Sequence, residues 1–307
     1  MKRAAPMDVL LAGNLGTDER AAWSAALSAA LPEARWWWDD APFPAAMIEA
    51  AVVANPAPGR LQGLPRLRLI QSLWAGVDRL LGDPTLPEDV PVARMVDPAM
   101  NEAMAETALW ATLSLHRGFF AYARQQAGGL WQQHPQRRAD EVRATVLGTG
   151  QMGQATLRRL QQQGYRAAGW RRADGPQALA PLLARSDVVI NLLPLTPQTA
   201  GMLGAPLFAA LPRGAGIVNL ARGGHLVEAD LLAALDSGHI GHAVLDVFAA
   251  EPLPPVHPFW SHPRITVLPH VAAQTDPRSA ARVAAANLRA LRDGLPLQHL
   301  VDRTRGY

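Results

Sequence analysis

Hydrophobic positions follow two alternating patterns along most of the chain. Short apolar runs predict buried strands, and segments with apolar residues three or four positions apart predict helices. The early part of the chain has one predicted helix over 18–31, followed later by one long helix over 98–125. The early predicted strands cover 8–12, 34–38, 50–54 and 68–72.

A second series of the same kind follows the long helix. Strands that alternate with helices in this way predict parallel sheets with helices on both faces, and therefore an α/β fold with two doubly wound domains. The predicted strands cover 143–147, 165–169, 187–192, 215–219, 241–246 and 264–268. The predicted helices cover 152–163, 176–184, 205–210, 227–237 and 276–292.

A Gly-x-Gly-x-x-Gly turn joins the strand over 143–147 to the helix that follows it. The first glycine permits a tight turn, the second lets the backbone approach a pyrophosphate, and the third lets helix and strand pack closely. The helix N-terminus then offers N–H groups to phosphates. We therefore predict a dinucleotide site whose residues are Gly148, Thr149, Gly150, Gln151, Met152 and Gly153.

The next strand ends in Trp170, Arg171 and Arg172, where an NAD site usually has Asp or Glu on the ribose 2′-hydroxyl. A carboxylate would repel a 2′-phosphate, whereas a guanidinium group can bind one with two hydrogen bonds. The cofactor predicted from these residues is NADP(H) rather than NAD(H).

The glycine turn lies near the middle of the chain, although it normally follows the first strand of a nucleotide-binding domain. A region with its own strand–helix alternation precedes it. The chain is therefore predicted to have a Rossmann nucleotide-binding domain over 98–273. This domain would be inserted into a flavodoxin-like substrate domain made of 1–97 and 274–307.

Three polar residues, Arg222, Glu251 and His270, each follow a predicted strand in the second series. Ligands of doubly wound sheets bind outside the carboxyl ends of the strands, so these residues are expected to share one crevice. An arginine can bind a carboxylate or keto oxygen, and a histidine can protonate that oxygen. A carboxylate beside the histidine would favour the imidazolium and orient the ring. Taken singly, each could be an ordinary surface or turn residue.

Two tryptophan-containing segments of the first series have different interpretations. The loop over 72–78 has small residues whose main-chain N–H groups could bind a carboxylate, although an ordinary strand-to-helix turn is an equal alternative. The run over 36–38 lies in a predicted strand, so core and edge packing is favoured over an aromatic binding site.

Composition narrows the class of protein. The net charge is +3 and the isoelectric point about 9.9, but the arginines are scattered and Lys2 is the single lysine, which argues against a nucleic-acid binder. There is no cysteine, no apolar run long enough to span a membrane, and no apolar stretch behind residues 1–6 typical of a signal peptide. No histidine pair has metal-site spacing. We expect a cytoplasmic protein without a metal.

These motifs together resemble the D-isomer-specific 2-hydroxyacid dehydrogenases over nearly the whole chain. The shared features are the inserted nucleotide domain, the Asn-x-x-Arg-Gly over 219–223, the Asp-Val-Phe-x-x-Glu-Pro over 246–252, and Pro269-His270. Within the family, the segments 75–78, 191–197, 251–255, 270–273 and 301–307 are most similar to the glyoxylate/hydroxypyruvate reductase A branch. The arginines at 171 and 172 differ from the acid of many members and agree with an NADPH-using branch.

The resemblance implies roles for single residues. Arg222 would bind substrate, His270 would be the general acid, and Glu251 would pair with it. Asp246 would contact the nicotinamide carboxamide. The substrate pocket would be lined by Trp74, Ala75, Gly76 and Val77, and the cofactor would be bordered by Leu193, Pro194, Thr199 and Ala221. The resemblance also implies a homodimer, with the segment around Trp131 reaching the partner.

The function expected from the resemblance is NADPH-dependent reduction of small 2-oxo acids, glyoxylate to glycolate and hydroxypyruvate to D-glycerate. Two alternatives stay open. One is a D-2-hydroxyacid dehydrogenase for a bulkier 2-oxo acid, because pocket shape is not encoded in the motifs. The other is a nucleotide-sensing interaction protein that uses the same scaffold without turnover.

Overall fold

The computed structural model describes residues 6–306. Its backbone contacts divide the chain into two compact units, Met1–Ala99 with Thr275–Tyr307, and Met100–Gln274. Residues 1–5, considered above for a signal peptide, and Tyr307 of the C-terminal motif lie outside the described residues.

The strands and helices follow the predicted alternation. The strands are β1 Met7–Gly13, β2 Ala34–Trp38, β3 Ala50–Ala54, β4 Leu69–Ser72, β5 Val92–Ala93, β6 Arg143–Leu147, β7 Arg166–Trp170, β8 Val188–Asn191, β9 Ala215–Asn219, β10 Ile240–Leu245 and β11 Ile265–Val267. The helices are α1 Thr17–Ala30, α2 Asp78–Leu81, α3 Pro98–Arg117, α4 Phe119–Ala127, α5 Gln151–Gln162, α6 Gly175–Leu183, α7 Ala205–Ala209, α8 Glu228–Asp236 and α9 Pro277–Asp293.

The first unit contains a parallel five-stranded sheet in the order β2-β1-β3-β4-β5, which is the flavodoxin-like order. Its central strands are buried on both faces, as expected for a parallel sheet between helices. Helix α9 returns to this unit from the end of the chain. It begins at the cap Asp276, whose carboxylate accepts from the N–H of Arg278 at 2.9 Å, and its buried stripe is rich in alanine.

The second unit contains a parallel six-stranded sheet in the order β11-β10-β9-β8-β6-β7. Strand order reverses at β6, because β7 pairs on one side of it and β8 on the other. Such a reversal opens a crevice at the carboxyl ends of the strands, where ligands of this architecture bind. The prediction of an α/β fold with two doubly wound parallel sheets is confirmed.

The prediction of one long helix over 98–125 is wrong. Gly118 has φ +71°, a left-handed conformation that interrupts the helical hydrogen bonding, so two helices, α3 and α4, occupy this segment. The apolar spacing continues through the break, which is why periodicity alone did not reveal it. The short elements α2 and β5 are also absent from the predicted set.

The tryptophan run over 36–38 forms the edge strand β2, in agreement with the packing interpretation. The indole N–H of Trp37 donates to the Asp8 carboxylate at 2.9 Å, and the Arg20 guanidinium lies 4.0 Å from the centre of the Trp38 ring. Among residues 6–306, no helix combines the length and the apolar character needed to cross a membrane.

Candidate active site

The glycine turn after β6 is shaped by close backbone contacts on two sides. Gly148 has φ +94°, and a Cβ there would lie 2.6 Å from the carbonyl oxygen of Leu192. A Cβ on Gly153 would lie 1.9 Å from the carbonyl oxygen of Gly148. These two glycines are therefore required by the packing of the turn itself.

Gly150 differs from its neighbours because the protein leaves its side-chain direction open. Apart from its chain neighbours, no atom of residues 6–306 lies within 4 Å of the position that a Cβ would take, and its φ of −67° is accessible to any residue. Gly150 is the N-cap of α5, so the first N–H groups of that helix point out of the same turn. Internal packing thus does not explain this glycine, whereas close approach of a dinucleotide pyrophosphate would explain it.

The three residues after β7 have different environments. Trp170 is buried, and its indole N–H donates to the carbonyl of Gly175 at 2.9 Å. Its ring is therefore part of the hydrophobic core of the second unit. Arg171 is exposed, and its guanidinium and main-chain N–H both bind the Asp174 carboxylate, at 3.0 and 2.8 Å. Arg172 is also exposed, and its guanidinium forms no hydrogen bond or ion pair within residues 6–306.

The loop after β8 is held by internal hydrogen bonds. The Thr199 hydroxyl donates to the carbonyl of Pro194 at 2.7 Å and accepts from the N–H of Thr196 at 2.9 Å. Thr199 and Leu193 are buried, and Pro194 is half-buried. The loop is therefore preformed beside the glycine turn, which contacts it at Leu192.

Two buried asparagines, Asn191 and Asn219, join the carboxyl ends of β8 and β9. The amide N–H of Asn191 donates to the side-chain oxygen of Asn219 at 3.0 Å, and each side-chain oxygen also accepts a main-chain N–H, from Leu193 at 3.2 Å and from Ala221 at 3.3 Å. Sequence reasoning quoted both residues within motifs and assigned neither a role. The available signal was a polar residue at the end of each of two otherwise apolar strands.

His270 and Glu251 meet although 19 positions separate them in the sequence. The Nδ1 atom of His270 lies 2.7 Å from Oε2 of Glu251, and Oε1 of the same carboxylate accepts from the N–H of Phe248 at 2.9 Å. Both side chains are partly exposed. His270 has φ +56°, an uncommon conformation for a residue with a side chain. The ring is oriented through Nδ1, and Nε2 has no hydrogen-bond partner among residues 6–306.

Asp246 stabilises the loop that contains His270. It is buried, and its two oxygens accept from the N–H groups of Val271 at 2.7 Å and Ala272 at 3.0 Å. Burial raises the pKa of the Asp246 carboxyl, while the two N–H donors and nearby His270 partly offset that rise. Its contact with a nicotinamide carboxamide stays a prediction.

Arg222 lies three residues after Asn219, the last residue of β9. Its guanidinium donates to the carbonyl of Ala221 at 2.7 Å, and its own carbonyl accepts from the Asn219 amide at 3.0 Å. The buried His225 ring lies between two carbonyls, those of Arg222 at 3.1 Å and Pro194 at 3.3 Å. The His225 ring thus links the loops after β8 and β9.

The second unit therefore places the glycine turn, Arg222, Glu251 and His270 after carboxyl ends of strands in a single parallel sheet. Three features of this sheet edge fit a phosphorylated dinucleotide. They are the open space at Gly150, the N–H groups at the start of α5, and Arg172, which has no internal partner among residues 6–306. Such a cofactor would be held by the turn over 148–153 and by the arginine pair.

The predicted substrate loop belongs to the first unit. The N–H of Trp74 donates to the Ser72 hydroxyl at 3.0 Å, and its carbonyl accepts from the N–H of Met95 at 3.0 Å. Within the described chain, the N–H groups of Ala75, Gly76 and Val77 donate no hydrogen bond. Three successive unused donors fit the anion-binding interpretation of this loop better than that of an ordinary turn.

Comparison with known proteins agrees with this geometry. Residues 109–272 match the family described as D-isomer specific 2-hydroxyacid dehydrogenase, NAD binding domain. A glyoxylate/hydroxypyruvate reductase A from Serratia proteamaculans is 40% identical over 304 residues, covering 93% of this chain and 96% of that protein.

Two solved structures resemble the whole chain. A D-isomer specific 2-hydroxyacid dehydrogenase from Xanthobacter autotrophicus Py2, in complex with NADPH and MES, has a TM-score of 0.92 and 38% identity, covering 97% of this chain and 100% of that one. An NADPH-dependent glyoxylate/hydroxypyruvate reductase from Sinorhizobium meliloti, in complex with NADP and sulfate, has a TM-score of 0.90 and 35% identity, covering 98% and 99%. By these matches, this chain belongs to the D-isomer-specific 2-hydroxyacid dehydrogenase family and is an NAD(P)-binding oxidoreductase.

Proposed function

We propose that this enzyme uses NADPH to reduce small 2-oxo acids, glyoxylate to glycolate and hydroxypyruvate to D-glycerate. The observation that carries the proposal is the 2.7 Å contact between His270 Nδ1 and Glu251, formed in the same sheet as a glycine turn followed by two arginines. The names of the relatives in Serratia and Sinorhizobium support the substrates.

His270 is the proposed general acid. Glu251 accepts the hydrogen bond from Nδ1, which orients the ring and stabilises the imidazolium, so Nε2 can hold the proton for the oxygen of the substrate. As the keto carbon is reduced, its oxygen gains negative charge and takes that proton. A bound nicotinamide cofactor supplies the hydride in this reaction.

Arg222 is the proposed substrate-binding residue of the second unit. A guanidinium group can bind a carboxylate with two parallel hydrogen bonds and offset charge that develops on a neighbouring keto oxygen. We also assign substrate binding to Trp74, Ala75, Gly76 and Val77 of the first unit, where three unused N–H groups are suited to a carboxylate.

Arg171 and Arg172 are the proposed ligands of the 2′-phosphate. Their positions after β7 correspond to the place where NAD sites usually have an acid on the ribose. Leu193, Pro194, Thr199, Ala221 and Asp246 would border the rest of the cofactor. The NADPH and NADP of the two solved relatives support this choice.

The test is a spectrophotometric assay of the purified enzyme with NADPH and, separately, NADH. The substrates are glyoxylate, hydroxypyruvate, pyruvate and a bulky 2-oxo acid. Rapid oxidation of NADPH with the first two is the expected result. Preference for the bulky acid would favour the alternative dehydrogenase, and tight NADPH binding without turnover would favour the nucleotide-sensing alternative.

A further inference from the structure

A cavity of about 320 Å³ lies at the amino ends of β6 and β7, the end of these strands opposite to the glycine turn. Five residues at roughly 3.3 Å each separate the two ends, so the cavity is about 15 Å from the turn. The residues that matter for its chemistry are Arg143, Thr145, Arg166, Leu182, Arg185 and Ser186.

The cavity exists because helix α6 covers only part of this face of the sheet. At the carboxyl ends of the two strands, Leu147 and Trp170 pack in one core cluster with Leu179 and Leu183 of α6. Alternate residues of a strand share a face, so Thr145 lies on the face of Leu147. The residue paired with Thr145 on this face is Ala168, whose methyl group is too small to fill the space beyond the helix.

Three arginines surround this space without a counter-charge. Arg143 and Arg166 are paired across the adjacent strands β6 and β7, and Arg185 follows α6 on the same cavity. All three are exposed, and within residues 6–306 none of their guanidinium groups forms a hydrogen bond or an ion pair. Like charges side by side on neighbouring strands destabilise a sheet.

Asp187, the acid two residues after Arg185, is already engaged. Asp187 binds the guanidinium of Arg137 at 2.6 Å and accepts from the main-chain N–H of Arg143 at 2.8 Å. No carboxylate is among the residues that line the cavity. The arrangement therefore keeps three positive charges around an open space.

The two hydroxyl groups of the cavity are satisfied by the protein. Ser186 donates to the carbonyl of Leu182 at 2.7 Å, so Thr145 is the donor in the 2.5 Å contact between the two hydroxyls. Neither hydroxyl has a proton left for a ligand. Recognition would rest on the guanidinium groups, which bind phosphates and carboxylates through paired hydrogen bonds.

We propose that this cavity binds a small polyanion, a compact molecule with a phosphate group or several carboxylates, at a site separate from that of the cofactor. Its volume is in the range of small-molecule sites, which begins at roughly 300 Å³. An anion there would offset the repulsion between Arg143 and Arg166 and bridge the sheet to the end of α6.

The experiment is isothermal titration of the NADPH-saturated enzyme with inorganic phosphate and with citrate. Saturation keeps either anion from occupying a cofactor phosphate site. For at least one of the two anions, we expect one site per chain that depends on the arginines of the cavity and is therefore distinct from the proposed substrate site. Binding of phosphate alone identifies a phosphate group as the ligand chemistry, and binding of citrate alone identifies a polycarboxylate. The absence of binding by both overturns the proposal.

Arg166→Gln and Arg185→Gln test the location of the site. Each should lower the affinity for the anion at least about tenfold, the effect of losing a charge-assisted hydrogen bond. Arg158→Gln is the matched control, because Arg158 is an exposed arginine of α5 outside the cavity. Unchanged binding in both cavity variants, or equal weakening in the control, overturns the assignment.

Thermal unfolding shows whether the variants are intact. Without an anion, Arg166→Gln should unfold at the wild-type temperature or slightly above it, since a like-charge contact is removed. The anion should raise the unfolding temperature of the wild type and of Arg158→Gln but not of the cavity variants. The cavity variants should bind NADPH normally, so failure of this proposal leaves the proposed reductase function intact.

Discussion

At the residue scale, the site depends on side chains whose orientation is set by hydrogen bonds within and between the loops that follow β10 and β11. His270 is oriented by Glu251, and Glu251 in turn is fixed by the N–H of Phe248. Asp246 binds the main chain of the two residues after His270. The His270 ring, the proposed proton donor, therefore has a defined position before any substrate binds.

Replacement of His270 by Ala should lower kcat by roughly 100- to 10,000-fold, because the oxygen of the substrate loses its proton donor. The affinity for NADPH, measured by fluorescence titration, should stay unchanged. His134→Ala serves as a control at an exposed histidine remote in sequence from the site. Wild-type turnover in the His270 variant would remove this residue from the role of acid.

Single changes of Arg171 and Arg172 to Ser should separate their contributions to NADPH binding. Arg172 lacks an internal partner among the described residues, whereas Arg171 must be shared with Asp174. We expect Arg172→Ser to lower the affinity for NADPH by about 10- to 100-fold, the effect of losing a hydrogen bond between charged groups. Arg171→Ser should lower this affinity less.

The affinity for NADH is the internal control of this comparison, because NADH has no 2′-phosphate. Titration of each variant with both cofactors gives the ratio of its affinities for NADPH and NADH. Equal losses for NADPH and NADH would contradict the role of the arginines in phosphate binding.

At the element scale, the turn between β6 and α5 contains glycines required for two different reasons. Gly153 is required by contact within the protein, since a Cβ would overlap the carbonyl oxygen of Gly148. Gly150 faces open space, so the requirement that we propose for it comes from the pyrophosphate of a bound cofactor. The two reasons predict opposite behaviour of the alanine variants.

Gly153→Ala should lower the free energy of unfolding by about 1–3 kcal/mol or more, the usual cost of overpacking. Gly150→Ala should unfold like the wild type in urea but bind NADPH weakly, because the methyl group occupies the path of the pyrophosphate. Urea unfolding and NADPH titration of both variants check this. Normal NADPH affinity in Gly150→Ala would contradict the proposed cofactor position.

At the scale of the whole molecule, one buried histidine makes stability depend on pH. His242 stacks on Phe120 with ring centres 4.2 Å apart, and its Nε2 atom lies 2.9 Å from the Thr266 hydroxyl. Burial, reinforced by the charges of Arg124, His262 and Arg264, lowers the pKa of His242 to about 4. The unfolded chain therefore binds one more proton than the folded chain between about pH 4 and 6.5.

Stability from His242 is fully present above about pH 6.5 and is lost as the pH falls toward 4, by an amount on the order of 3 kcal/mol. His242→Gln should remove this part of the pH dependence of the free energy of unfolding, whereas His134→Gln at an exposed position should retain it. Urea unfolding at several pH values between 4.5 and 7 measures the difference. Parallel curves for wild type and His242→Gln would contradict this account.

The exposed aromatic residues of the second unit predict an assembly. Trp131 is 95% exposed, and Leu130, Phe119 and Trp110 in the same stretch are exposed as well. Large apolar side chains at the surface are typical of interfaces, and the family resemblance implies a homodimer. Light scattering of the wild type should give twice the chain mass, and Trp131→Ser should shift it toward the monomer. A monomeric wild type would contradict the homodimer.

Sequence periodicity predicted most elements to within one or two residues, because buried strands and amphipathic helices repeat at distinct intervals. Its error at 98–125 came from Gly118, whose left-handed conformation the apolar spacing does not record. The glycine turn was equally accessible, because its three glycines have a fixed spacing in a local segment between a strand and a helix. The residues Arg222, Glu251 and His270 could be selected because their chemical types suit one reaction and each follows a strand.

Contacts between distant segments were decided by the tertiary structure alone. The Asn191–Asn219 bond depends on β8 lying beside β9, and the pairing of Arg143 with Arg166 depends on β6 lying beside β7. The engagement of Arg171 by Asp174 and the space above Gly150 depend on backbone geometry. By itself, then, the sequence determined the element types, the glycine turn and the catalytic residue types, because these follow from local periodicity and chemistry. Strand order and packing decided which side chains meet, because such contacts join residues that no local pattern relates.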